Sequence, residues 1–344
     1  MLLKITHETE LSYNEPIVES VMELRMFPRQ ENHQHRLSFE LKLSPYSAVN
    51  SYFDWLGNTV HTFTVNQLHQ SIRIRTTSVV ETERMMLVPE ALPDTWPMQE
   101  NKLDYRLWDF LQFGGPVVAS DALADLSRAL APRNGIRIGE LGQRMIRLIN
   151  MRFEYEKGVT TSASPVTEIL EHRKGVCQDF THLFIALARY LKIPARYVSG
   201  LLHPDDTDRE RFRGYTQTHA WAELYFPSTG WIGFDPTNSC IAGENFVKVA
   251  VGRDYRDVPP NKGLYRGNAK ETIQASVHSE VLQTIPSDLF PEKIAPLSTS
   301  ASQKPRFFLR TVNSHNQDHV QQQQQEKSPL VQQQQQQQQY RFDL

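Results

Sequence analysis

Apolar residues fall on every second position through much of the first eighty residues, and a period of two is that of β-strands. In LSFELKLSP (37–45), Leu37, Phe39, Leu41 and Leu43 alternate with Ser38, Glu40 and Lys42. TVHTFTV (59–65) repeats the pattern directly after Gly57-Asn58, a turn signal, and SIRIRTTSVVET (71–82) repeats it again. Alternation puts one side-chain set on a buried face and the other in solvent. Three such runs at close spacing predict a small antiparallel sandwich or barrel over residues 1–82. No residue cluster in this part suggests chemistry.

The pattern changes after Glu83. Pro89, Pro93 and Pro97 mark a connector over 83–135, with short helices expected near 105–113 and 122–130. A longer amphipathic helix is expected over 138–151, where Leu141, Met145, Ile146, Leu148 and Ile149 recur at helical spacing. Ser164 suits an N-cap, Pro165 a first helical position and Gly175 the turn that ends a short helix. A second helix starts near Cys177, with Phe180, Leu183, Phe184, Leu187 and Leu191 as its stripe, and Ile193-Pro194 stops it. ARYVSGLL, THAWAELYF and GWIGFDPT then read as three strands, the last two joined through Pro227–Gly230. The alternating run 272–281 is expected to close a core spanning 136–285. Beyond Pro286 the chain is polar and ends in glutamine tracts at 321–325 and 332–339. Such a segment buries too little apolar surface to offset its ordering entropy, so 286–344 is expected to be disordered. The fold class is therefore α+β, an N-terminal β unit followed by a mixed core.

Charge narrows the function. The 37 Lys and Arg against 39 Asp and Glu leave no basic excess, which argues against a nucleic-acid binder. The run 205–211 reads as a solvated loop. The N-terminal MLLKITHETELSYNEPIVE is too polar for a secretory core, and no apolar run approaches ~18 residues. The expectation is a soluble cytoplasmic protein without a membrane segment, in which both cysteines, Cys177 and Cys240, stay reduced.

Three residues could carry chemistry. Cys177 stands at a helix start, where unpaired N–H groups and the dipole stabilise a thiolate; alone it reads first as a buried structural cysteine. In THAWAELYF, Ala220, Ala222, Leu224 and Phe226 form the small apolar face that packs on a helix, so His219 points away from it. A tight hairpin centred on Ser228-Thr229 places Asp235 opposite residue 222, within reach of His219. A thiol, an imidazole and a carboxylate together make the nucleophile, base and orienter of thiol acyl transfer. Asp179 and His182, on the same helical turn as Cys177, have no assigned part: a carboxylate beside the thiol opposes thiolate formation unless it points elsewhere.

With those residues in view, GVCQDFTHLFIALARYLKIPARYVSG, THAWAELYFPSTGWIGFDPTN and GRDYRDVPPNKGLYRG resemble the bacterial transglutaminase-like family of the papain-like cysteine enzyme superfamily. YFDWLGNTVHTFTV resembles the β-rich N-terminal unit that accompanies such cores. The resemblance implies a transglutaminase-like core, with Cys177 as nucleophile, His219 as general base and acid, and Asp235 as orienting carboxylate. It implies a peptide or protein substrate with an amide or isopeptide bond, and water or an amine as acceptor. It implies no cofactor and no metal, and without a calcium-loop signature no calcium requirement is transferred. Gln178 stands where better-known eukaryotic relatives carry tryptophan, so only the Cys177 backbone N–H is named as an oxyanion donor. Arg253, Asp254 and Tyr255 belong to the third motif without a physical case for catalysis. The competing readings are a non-catalytic peptide- or protein-binding module on the same fold and a metal site using Cys177, His219 and Asp235 or His182; for the metal site the ligand spacings are missing.

Overall fold

The computed structural model describes residues 1–84, 88–99, 103–204 and 212–297. The charge run 205–211 and both glutamine tracts lie outside the described residues.

The N-terminal unit is a sandwich of two sheets. One is built on β1 (Leu2–Ile17), β3 (Gln34–Ser44) and β6 (His69–Thr82), the other on β2 (Glu19–Leu24), β4 (Val49–Phe53) and β5 (Thr59–Val65). Leu11, Phe39, Leu41, Leu43, Phe63 and Ile72 meet between them, so the residues that alternate in sequence are those that fill the core.

The core unit follows. Its sheet runs β10-β9-β8-β7-β11, from β7 (Ala195–Leu202), β8 (His219–Phe226), β9 (Gly230–Asp235), β10 (Cys240–Ile241) and β11 (Phe246–Gly252). One face carries α1 (Asp121–Arg128), α2 (Ile138–Arg152), α3 (Val166–His172) and α4 (Cys177–Tyr190). Every residue of α4 from Cys177 to Arg189 is buried, as befits a helix enclosed on all sides. Ala220, Ala222, Leu224 and Phe226 do face the helices, and Trp221 lies on the opposite face with Val198, Leu202 and Phe246.

Three strands late in the chain return to the N-terminal unit, which changes the organisation expected from sequence. β12 (Asn261–Arg266) pairs with β2, and β13 (Glu271–Val281) pairs with β1 from Leu3↔Val281 to Tyr13↔Glu271. The strand expected to close the core therefore closes the sandwich. β1 is sixteen residues long, and without β13 it would present a long unpaired edge. β14 (Lys293–Pro296) pairs in parallel with β3, so the expectation of disorder from 286 onward fails at this strand.

Side-chain amides of the N-terminal unit complete the edge of the core sheet. Gln34 donates to the Lys248 carbonyl (2.8 Å) and accepts from the Lys248 N–H (2.7 Å). Asn58 does the same with Val251, at 2.8 Å each way. Two amides thus imitate a neighbouring strand along β11 and satisfy backbone groups that burial would otherwise orphan.

Candidate active site

Cys177 is the first residue of α4, and the local sequence explains why the helix begins there. Arg173 ends α3 in the left-handed region (φ 58°). The chain then runs extended to Val176, whose N–H donates to Asp179 Oδ2 at 2.7 Å, and the Thr160 hydroxyl donates to the same oxygen. Asp179 therefore caps the helix that carries the thiol. A Cβ on Gly175 would lie 2.7 Å from both Asp179 Cβ and Oδ2, so the glycine before Val-Cys makes room for the cap. Burial lifts the Asp179 carboxyl to about 7, against the two hydrogen bonds that favour its anion.

His219 opens β8 and pairs with Gly200 of β7. Its ring lies over Trp221 at 6.2 Å and 27°. Gly200 has no Cβ because one would strike the Trp221 ring at 2.3 Å. Asp235 closes β9. The register expected from sequence was one residue off: Ala222 pairs with Phe234, which leaves Asp235 opposite residue 221. The cause is the connection, with Phe226 paired to Gly230 across a three-residue loop and Gly230 at φ 93°. The corrected register puts Asp235 on the same face as His219, one diagonal step away.

His219 Nε2 lies 2.7 Å from Asp235 Oδ2, both side chains fully buried. A carboxylate accepts, so Nε2 carries the proton and Nδ1 is left for the thiol. Nδ1 is buried and makes no other hydrogen bond. Burial works against the imidazolium, but the Asp235 charge and hydrogen bond outweigh it, with hydrogen bonding and charge from Cys177 adding to them. His219 is pushed up to about 10. The three sequence-derived residues are thus gathered at one place, from the head of α4 and two adjacent strands.

Asn238 was missed in the sequence. Its Nδ2 donates to Asp235 Oδ2 at 2.7 Å, and its side chain grips the Arg213 backbone, accepting the N–H at 2.8 Å and donating to the carbonyl at 3.3 Å. Gly214 follows with φ 86°, and a Cβ there would lie 2.6 Å from His219 Nδ1. Cys177 is 2 % exposed and His219 1 %. A cavity of about 580 Å³ is lined by Phe180, Thr237 and Asn238, with Arg213 stacked over Tyr155 in its wall; Cys177 and His219 themselves do not line it. A second cavity, about 470 Å³, lies on the opposite face of the sheet against the N-terminal unit. Its charges satisfy one another, Glu223 with Arg196 (2.5 Å) and Lys248 (2.6 Å), and Cys177 does not line it.

The residues left unassigned in the sequence are structural by their contacts. His182 Nε2 accepts the Tyr255 N–H at 3.1 Å, and burial lowers its imidazole to about 4. Arg189, inside α4, donates to the carbonyls of Phe110, Gln112, Ala195 and Arg253 at 2.6–3.1 Å. Asp254 caps the turn at Tyr255–Asp257 and pairs with Arg256 at 2.8 Å. The GRDYRD segment is thus tied to the body of α4. Gln178 donates to the Ser162 carbonyl at 3.0 Å and is buried there. Tyr197 is buried, and burial together with the Cys177 charge raises its phenol well above the ordinary range. Among the described residues no group of three or more His, Cys, Asp or Glu side chains is arranged to hold a metal ion.

A thiol at a helix head, a buried histidine and its carboxylate on an antiparallel sheet define a papain-like cysteine enzyme fold. Residues 128–236 match the transglutaminase-like superfamily, and residues 3–81 match the bacterial transglutaminase-like N-terminal region. An uncharacterized protein of Mycobacterium leprae is 31% identical over 279 residues, covering 80% of this chain and 97% of that protein. A protein-glutamine gamma-glutamyltransferase of Pseudomonas aeruginosa is 27% identical over 194 residues, 50% of this chain and 27% of that enzyme. In the solved structure of a candidate cysteine protease from Cytophaga hutchinsonii the same fold recurs, with a TM-score of 0.68, 22% identity, and coverage of 84% of this chain and 94% of that one. The chain belongs to the transglutaminase-like superfamily, in the bacterial group that carries its own N-terminal region.

Proposed function

We propose that the protein is a thiol enzyme acting on amide bonds of peptides or proteins. The observation that carries this reading is the His219–Asp235 contact, which engages Nε2 and leaves Nδ1 for Cys177, whose side chain interacts with the same ring. In the first half-reaction the Cys177 proton already rests on His219 Nδ1, as the raised imidazole favours, and the sulfur attacks the amide carbonyl carbon. The C–N bond breaks as Nδ1 returns that proton to the leaving amine, and a thioester remains. In the second half, water or an amine attacks the thioester and gives its proton to Nδ1, and the sulfur leaves as thiolate beside the restored imidazolium. Asp235 holds the imidazolium throughout. The Cys177 N–H, in the first turn of α4, is the oxyanion donor. A cytoplasmic setting belongs to this proposal, since it would keep the thiol reduced.

One observation favours a second reading, a binding module without turnover: Gly214 covers His219 Nδ1, and the thiol is buried. Mass spectrometry of peptide and amine libraries incubated with wild-type and Cys177→Ala protein separates the two. The enzyme reading expects an acyl adduct on Cys177 and products absent with the variant, as hydrolysed peptides, amine conjugates or both. Peptide retention equal in both proteins, without adduct or product, contradicts it.

A further inference from the structure

We infer that Asn238 is a positioning residue that holds Asp235 in the orientation His219 needs. This inference rests on the reading of Cys177, His219 and Asp235 as the reacting set.

The Asp235 carboxylate has about four acceptor positions, and all four are used. Oδ1 takes the Thr237 N–H at 2.9 Å and the Asn238 N–H at 3.3 Å. Those are backbone donors of the turn after the strand, and most side chains at 237 and 238 would leave them in place. Oδ2 takes His219 Nε2 and Asn238 Nδ2, each at 2.7 Å. Only the Asn238 amide is therefore a sequence-specific hold on the oxygen that faces the histidine.

The amide orientation follows from its partners. The Arg213 N–H can only donate, which places Oδ1 on that side at 2.8 Å; the Arg213 carbonyl and Asp235 can only accept, which places Nδ2 on the other. Asn238 Nδ2 and His219 Nε2 lie 3.4 Å apart. With Nε2–H turned to Asp235 both atoms are donors, so this is a close approach of two groups sharing one oxygen. Asn238 is 9 % exposed, so little water competes for its bonds. The same side chain joins the carboxylate to the Arg213–Gly214 backbone that lies over Nδ1. Without it Oδ2 loses a charge-assisted bond, and the carboxylate is held only by the turn and by the histidine it is meant to orient.

The test compares wild type, Asn238→Ala and Asn238→Asp. Asparagine to aspartate is near-isosteric and still accepts the Arg213 N–H, but as a carboxylate it repels Asp235, and as a shared-proton pair it withdraws charge from the oxygen facing His219. The first readout is the His219 Nε2–H proton resonance in histidine-¹⁵N-labelled protein, assigned by its loss in His219→Ala. The second is the rate of Cys177 alkylation by iodoacetamide at pH 6.5, read by peptide mass. Positioning through Asp235 predicts that both variants shift or broaden the Nε2–H signal and lower the alkylation rate by roughly tenfold, the scale of one lost charge-assisted bond. An unchanged Nε2–H signal in both variants overturns the inference, as does Asn238→Asp behaving like wild type, since that assigns Asn238 to the Arg213 contact alone. If the signal shifts in the variants while wild-type and His219→Ala proteins alkylate at equal rates, the positioning stands and the catalytic reading fails.

Discussion

Two buried histidines, His219 of β8 at the head of α4 and His182 within its body, differ in their partners. At its head, His219 meets a carboxylate and is pushed up to about 10. Along its body, His182 meets a backbone N–H and falls to about 4. Both are fully buried, so burial alone does not set the proton. An N–H donor requires the neutral ring as acceptor, whereas a carboxylate favours the imidazolium. The head of the helix thus favours an imidazolium beside the Cys177 sulfur, and the body favours a neutral ring that serves the packing. The same division runs through the other polar groups. Asp179, Asp235 and Asn238 converge on the head, while Arg189, Asp254 and Tyr255 tie the body to the connector and to the segment after β11.

The comparison breaks if the two histidines prove interchangeable in function. His219→Ala is expected to slow acyl-adduct formation on Cys177 by roughly 10²–10⁴-fold, the range of general-base removal. His182→Gln, which keeps an acceptor for the Tyr255 N–H, is expected to leave the rate within about threefold, since it lies outside the reacting set. Adduct mass followed over time reads both. Next in size is Arg189→Met. It removes a buried cation donating to four carbonyls, and the loss is expected to be about 3–5 kcal/mol in denaturant unfolding. A loss below ~1 kcal/mol would remove Arg189 from the architecture.

The pH dependence of stability sharpens the contrast because the two shifts have opposite signs. The His219 pKa is raised, so its stabilisation is complete below the ordinary value of 6.5 and is lost as pH rises through about 10. The His182 pKa is depressed, so its stabilisation is complete above 6.5 and is lost as pH falls through about 4. Unfolding midpoints across pH should therefore show an alkaline decline that Asp235→Asn flattens and an acid decline that His182→Gln flattens; the reverse assignment would refute the comparison. The smallest effect concerns the cap. Asp179 is raised to about 7, so its contribution is complete below 3.8 and declines as pH rises through 7. Asp179→Asn keeps an acceptor for the Val176 N–H and should remove that decline, at a cost of about 1 kcal/mol or less at pH 4. A decline that survives the substitution belongs to another group.

Much of this was legible in the sequence because it was written in local patterns. Alternation located β3, β5 and β6, and helical spacing located α2 and α4. Cys177, His219 and Asp235 were found because each sits at the start or end of an element, where a side chain departs from the packing pattern. The strand exchange was not legible: 272–281 alternates like any half-buried strand, and nothing local says that its partner is β1, over 250 residues earlier. The Asp235 register slipped by one because Gly230 takes a positive φ after a three-residue loop, which a two-residue turn does not anticipate. Asn238 reads as one more polar turn residue after Asp-Pro-Thr. Its role depends on Arg213, brought from 25 positions away. Gly175 is the exception in reverse, a residue whose reason, the Asp179 cap, lies only four positions on.

The central claim is that the head of α4 makes Cys177 a nucleophile through His219. The rate of Cys177 alkylation by iodoacetamide across pH 5–9 tests it most directly, with peptide mass separating Cys177 from Cys240. The account predicts that wild-type Cys177 reacts at least roughly tenfold faster than the same thiol in His219→Ala below pH 7, where an unassisted thiol is almost wholly protonated. Superimposed curves, or no labelling of Cys177 in the folded protein at any pH, would contradict it.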